Sequence, residues 1–199
     1  MAPGLYQYDV ANGKTKQFAF TENGKNVAIH AYQISKMNDN NLLVSTLYGL
    51  WKFDAETELI ESLPGITADY DNPDVVVYSY QDEQQQVYKC LNNLGFAVYR
   101  KTGEKYAGAF WFNKRMTVKH IVPLNDSLLW MGTSDGLYLF NSLRLKIIQH
   151  YKTANGLPNN VVYAIIPDEK NNLWLSTNKG LSYFNVSQNT FTNFTQGDG

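Results

Sequence analysis

The 199-residue chain carries 17 Lys and Arg against 18 Asp and Glu, for a net charge of −1, with 14 Tyr, 10 Phe and 4 Trp. The even balance, with no cluster of Lys and Arg, excludes the phosphate contacts that nucleic-acid binding requires. A single cysteine, Cys90, excludes an internal disulfide and a multi-cysteine metal site, and no apolar run reaches the roughly 18 to 20 residues of a membrane-spanning helix.

In chain order the sequence repeats. Gly4 opens Leu5-Tyr6-Gln7-Tyr8, Gly49 opens Leu50-Trp51-Lys52-Phe53, Gly95 opens Phe96-Ala97-Val98-Tyr99, Gly136 opens Leu137-Tyr138-Leu139-Phe140 and Gly180 opens Leu181-Ser182-Tyr183-Phe184, at intervals of 45, 46, 41 and 44 residues. Four-stranded blades recurring every 40 to 50 residues or so define a β-propeller. The fold class is therefore all-β: one propeller segment over 1–199, with blades at about 1–20 (partial), 28–63, 75–110, 117–151 and 161–195. Each glycine after the first follows a short polar turn, with one extra residue in the third copy. There glycine supplies the left-handed backbone of a hairpin, so all five glycines read as structural.

The last copy shows the unit best. Val161 to Ile166 is its first strand, expected to be apolar on both faces because a blade lies between two neighbours. Leu173 to Thr177, the strand after Gly180 and the solvent-facing Thr190 to Thr195 complete it. The segment Gly4 to Phe20 matches only the last two strands of a unit, and Phe194 to Gly199 aligns with Tyr151 to Gly156, which leads into a further unit. The expectation is a piece of a longer propeller. Exposed sheet faces and edges on such a piece favour self-association.

Several motifs have chemical readings. Gly132-Thr133-Ser134-Asp135-Gly136 fits G-x-S-x-G and Ser176-Thr177-Asn178-Lys179 fits S-x-x-K, but the first needs a strand-to-helix elbow and the second a helical turn. The repeat places both on hairpins. His30, His120 and His150 occupy unrelated positions in their repeats, and Asp69, Asp71 and Asp74 lack the glycine and terminal glutamate of a calcium loop, so no metal and no cofactor is expected. Asp82-Glu83 and Asp168-Glu169 fall on hairpin turns and read as solvated charge. Cys90 reads as an inert core thiol.

Asn155-Gly156-Leu157-Pro158-Asn159-Asn160-Val161-Val162-Tyr163-Ala164-Ile165, followed by Asn172-Leu173-Trp174-Leu175-Ser176-Thr177-Asn178-Lys179-Gly180-Leu181, resembles the two-component regulator propeller repeat. Leu129-Trp130-Met131-Gly132-Thr133-Ser134-Asp135-Gly136-Leu137 resembles it too, and the two earlier complete units do so more loosely. The resemblance implies the periplasmic sensor region of a hybrid histidine kinase that responds to polysaccharide breakdown products. The remaining blades and signalling domains of a parent chain would be its partners. The segment itself has no phosphoacceptor helix or ATP-binding glycine box and is not expected to be an enzyme.

The propeller suggests where a ligand would sit. Counting 17 residues back from Gly49, Gly95, Gly136 and Gly180 gives Tyr32, Tyr78, Lys119 and Tyr163 on the innermost strands, which line the channel of a propeller. Tyrosine rings stack on sugar faces and their hydroxyls bond to sugar hydroxyls. These four are the candidate site for an oligosaccharide or other small extracellular ligand, and packing between blades is the competing role. A scaffold of the WD-repeat kind would carry Gly-His and Trp-Asp signatures, and a propeller glycosidase or lyase would need converging carboxylates. The innermost strands supply neither.

Overall fold

The computed structural model describes residues 4–22, 25–27, 29–37, 40–66, 75–195 and 197. Asp69, Asp71 and Asp74 lie outside them. Strands β1 (Leu5–Asp9) and β2 (Lys14–Phe18) form one hairpin, and β3 (Phe20–Glu22) and β4 (Lys25–Val27) another. Four antiparallel four-stranded sheets follow. They are β5 (Ala31–Lys36), β6 (Asn41–Thr46), β7 (Gly49–Asp54) and β8 (Ile60–Ser62); β9 (Val76–Gln81), β10 (Val87–Leu91), β11 (Gly95–Thr102) and β12 (Lys105–Phe112); β13 (Val118–Asn125), β14 (Leu128–Thr133), β15 (Gly136–Asn141) and β16 (Lys146–Tyr151); and β17 (Val162–Pro167), β18 (Leu173–Thr177), β19 (Gly180–Asn185) and β20 (Thr190–Phe194). Each sheet keeps sequence order, as a propeller blade does. Among the described residues the only helix is a single turn at Thr153–Asn155, and no helix is long and apolar enough to cross a membrane.

The chain divides into two compact units, one made of the residues up to Asn92 together with Phe96–Asn113, the other of Asn93–Gly95 and Lys114 onward. In the first unit Leu43, Leu50, Val76 and Val87 pack the second sheet on the first. In the second, Trp130, Leu137, Val162, Ile165, Leu175 and Phe184 do the same for β13–β16 and β17–β20.

The second strands are the driest elements, as β10 shows by being buried along its whole length. The first strands are not apolar on both faces as expected: β5 is largely exposed and β13 is only intermittently buried. Strand order explains the difference. A first strand is an in-plane edge with one neighbour, whereas a second strand is flanked on both sides.

Four of the five repeat glycines adopt the left-handed backbone, with φ of 116° at Gly49, 85° at Gly95, 118° at Gly136 and 91° at Gly180. A Cβ on Gly136 would lie 2.2 Å from the Tyr151 carbonyl oxygen. Gly4 does not share the conformation. A threonine three residues before the glycine bridges each two-residue turn. Thr133 Oγ1 donates to the Gly136 carbonyl at 2.8 Å and accepts the Asp135 N–H at 2.9 Å, and Thr46 and Thr177 repeat the pattern. Leu91 replaces the threonine before Gly95, where the turn is one residue longer.

The pairing register makes Leu43, Tyr88, Trp130 and Trp174 equivalent. The first three are at most 2% exposed, but Trp174 is 40% exposed. Trp130 is covered by the next sheet, its ring meeting Phe184 edge-on at 5.8 Å. Trp174 shares its face with exposed Ile166, Leu181 and Phe194. Truncating Trp130 to Ala therefore costs about 3 to 5 kcal/mol, and the same change at Trp174 costs about 1 kcal/mol or less. Denaturant unfolding of the two variants checks this, and equal costs would refute the difference in packing.

Candidate functional site

Each first strand begins with a break in register. The pairing of β5 with β6 jumps from Ala31 to Gln33 and leaves out Tyr32. That of β13 with β14 jumps from Val118 to His120 and leaves out Lys119, and that of β17 with β18 jumps from Val162 to Ala164 and leaves out Tyr163. A residue in such a bulge has no ladder partner, and its side chain is re-aimed away from the regular alternation. Tyr32 is accordingly 53% exposed and Tyr163 47% exposed, inconsistent with rings packed away between sheets.

Tyr78 does not occupy this position. Val76 pairs with Leu91 and Tyr78 with Cys90, so the residue left out is Val77. The count of 17 fails here because the turn before Gly95 is one residue longer than the others, which moves the glycine one place further from its first strand. Tyr32 belongs to the first unit; Lys119 and Tyr163 belong to the second. In the second unit they touch, with the Lys119 Nζ 4.8 Å from the Tyr163 ring centroid. That ammonium occupies one face of the ring.

After two of these bulges, the next residue carries out a task the sequence did not reveal. Gln33 Oε1 accepts the backbone N–H of Ser79 at 3.1 Å from the next sheet, together with the hydroxyls of Ser45 and Ser79. At the same register position in the second unit, His120 Nδ1 accepts the backbone N–H of Ile165 at 3.0 Å. Both bonds tie the first strand of one sheet to the first strand of the next. Burial pushes His120 below the usual histidine range, and only the neutral ring can accept at Nδ1.

A second polar cluster surrounds the β14–β15 turn. Asp135 receives Lys114 Nζ at 2.5 Å, Lys152 Nζ at 2.6 Å and the Tyr138 hydroxyl at 2.9 Å. His150 donates from Nε2 to the Asp135 carbonyl at 2.6 Å and stacks on Tyr138 with centroids 3.8 Å apart. Burial alone would raise the Asp135 carboxyl, but the bonds from Lys114, Lys152 and Tyr138 outweigh it and hold the group at about 2. Burial and that carboxylate push Tyr138 above the ordinary tyrosine range.

The sequence motifs resolve as turns. Ser134 Oγ accepts the Thr117 N–H at 2.9 Å, and Ser176 and Lys179 sit on the β18–β19 hairpin. Asp82 is not a solvated charge. It is 4% exposed and accepts the N–H groups of Gln84 and Gln86 and the Tyr88 hydroxyl, closing its own hairpin. Burial pushes the Cys90 thiol up, consistent with an inert group. Among the described residues no cluster of His, Cys, Asp and Glu could hold a metal ion.

Residues 156–179 match the two component regulator propeller family. No curated protein sequence matches the chain. Among solved structures, the extracellular domain assigned to a hybrid two component system of B. thetaiotaomicron is 25% identical, with a TM-score of 0.71 over 92% of this chain and 25% of that one. The extracellular domain assigned to a second hybrid two component system of the same bacterium is 17% identical, with a TM-score of 0.71 over 98% of this chain and 28% of that one. A chain of the mitotic checkpoint complex, 12% identical, has a TM-score of 0.70 over 96% of this chain and 57% of that one, a likeness of fold alone. The chain thus spans about a quarter of the length of the two component structures it matches.

The His120 bond gives stability a pH dependence of defined sign. The folded state holds the ring below its ordinary value of 6.5, so the unfolded chain binds more protons as pH falls through that value. Stability is full above about 6.5 and declines on acidification towards the lower folded value. Replacing His120 with Gln, the residue that performs this task at position 33, removes that part of the slope while retaining stability at pH 8 or so. Urea midpoints across this pH range decide it; an unchanged slope would show that His120 does not carry it.

Proposed function

We propose that this chain, a segment of two component regulator propeller repeats, is part of the ligand-sensing region of a hybrid two component system and responds to an oligosaccharide. The observation that carries the reading is the family match at 156–179, joined to a likeness in fold to extracellular domains of such systems. The same likeness to extracellular domains supports the periplasmic location proposed with it. Further propeller blades and the signalling domains of a parent protein would be its partners.

The segment contributes recognition rather than chemistry. Ser134 and Ser176, the serines of the two nucleophile-like motifs, both lie at hairpins, and the Ser134 hydroxyl is held by the Thr117 N–H. Tyr32, Lys119 and Tyr163 present side chains at the head of a first strand, and two exposed tyrosines supply the flat apolar faces that sugars stack on. Tyr78, one register place away, is not expected to share that role.

Titrating the chain against a panel of defined oligosaccharides tests the reading. Binding to at least one is expected, and Tyr32→Ala or Tyr163→Ala should weaken it about tenfold. Binding indifferent to both changes would overturn the assignment of these residues, and no binding would overturn the sensing role. The exposed face of Ile166, Trp174, Leu181 and Phe194 should also draw two chains together. Light scattering should show dimers or larger species that Trp174→Glu dissociates; a monomer at all concentrations would refute this.

A further inference from the structure

The second unit is electrically lopsided. Its sheets run antiparallel, so the start of β13, the β14–β15 turn and the end of β16 lie at one end, as Val118 opposite Thr133 and Leu137 opposite Tyr151 show. The start of β17 and the β18–β19 turn lie together in the same way, with Val162 opposite Thr177. The two sheets are aligned, since Lys119 reaches Tyr163 and His120 holds the Ile165 N–H. Among the described residues this end carries Lys114, Arg115, Lys119, Lys152 and Lys179 against Asp135 alone. The turns at the opposite end balance Arg144, Lys146 and Lys170 with Asp126, Asp168 and Glu169. The neutrality of the whole chain conceals this asymmetry.

We infer that the end of the second unit bearing Lys119 and Tyr163 binds an anionic saccharide, its carboxylate or sulfate ester received by the lysines and its ring laid on the open side of Tyr163. The inference rests on the sensing reading above and narrows its ligand class. Three observations converge on it. The excess of cations is confined to one end. Lys119 is fixed over one face of an exposed tyrosine, so a charged group and a stacking surface adjoin. Asp135 already draws Lys114 and Lys152 to one carboxylate, showing that this end can focus two ammonium groups on an anion. Lys179 stands exposed on the turn beside the Val162–Thr177 pair, its backbone N–H bound to the Thr177 hydroxyl.

Calorimetric titration of the chain with trigalacturonate, its methyl-esterified neutral form, a sulfated lactose and an oligothymidylate tests the proposal. Trigalacturonate or sulfated lactose should bind at least about tenfold more tightly than the neutral ester, and the advantage should shrink as salt is raised. The stronger of the two identifies carboxylate or sulfate as the group read. Lys119→Gln and Lys179→Gln should each weaken binding about fivefold, the worth of one charge pair about 4 Å apart in water. Asp135→Asn should strengthen it by releasing Lys114 and Lys152, and if that variant does not fold, the exposed Lys179 still decides the matter. Equal binding of the neutral ester would overturn the anion proposal and leave the sensing role standing. Binding of no saccharide would overturn both, and tighter binding of oligothymidylate would overturn the choice of a saccharide.

Discussion

A four-stranded sheet has two faces, and an apolar face stays dry only where another sheet lies on it. The stacking of successive sheets is the interaction on which the rest of this structure depends. Within a stacked sheet, strand order then decides burial, so that second strands such as β10 are buried throughout while first strands, at the edge, are not. It also gives one side-chain position two environments. Trp130 is enclosed by Phe184 and its neighbours, and Trp174, at the same register position one sheet later, stands open among other exposed apolar groups. The repeat specifies a shape for both tryptophans, and the presence of a covering sheet decides what that shape contributes.

Strand order leaves the first strand as an edge, and edge backbone needs hydrogen-bond partners. The bulges at Tyr32, Lys119 and Tyr163 interrupt pairing with the second strand, and at the first two the side chain that follows the bulge reaches across to the adjacent sheet. Gln33 does so with an amide oxygen and His120 with an unprotonated ring nitrogen. The two residues have little in common except an acceptor at the right reach. Exposure and cohesion therefore adjoin at the heads of β5 and β13: the unpaired residue stands towards solvent, and its neighbour holds the sheets in register.

What was legible in the sequence was local. Glycines at Gly49, Gly95, Gly136 and Gly180 announce a backbone conformation within a few residues, and the alternation beside them marks the strands. Gly4 shows the limit, since a glycine in the same sequence register need not adopt the same φ. Tyr78 shows another. One additional residue in the turn before Gly95 shifts the count, and only the ladder itself reveals that Val77 holds the bulge. The Asp135 cluster was not legible because Lys114, Asp135, His150 and Lys152 come from a linker, a turn and a strand end that sheet formation brings together. Asp82 looked like solvated charge because sequence alone does not show that the backbone folds over its carboxylate.

The division of labour within a blade follows from the same geometry. Strand interiors are committed to packing, so variable charge can accumulate only at turns and linkers. Antiparallel order sends alternate connections to opposite ends, and each end can then evolve its own chemistry without disturbing the core. In the second unit one end gathers lysines around a single carboxylate and the other balances its charges. Asp135 limits the repulsion between Lys114 and Lys152 while holding both ammonium groups in place, so the charge at that end is ordered by the fold as well as concentrated by it.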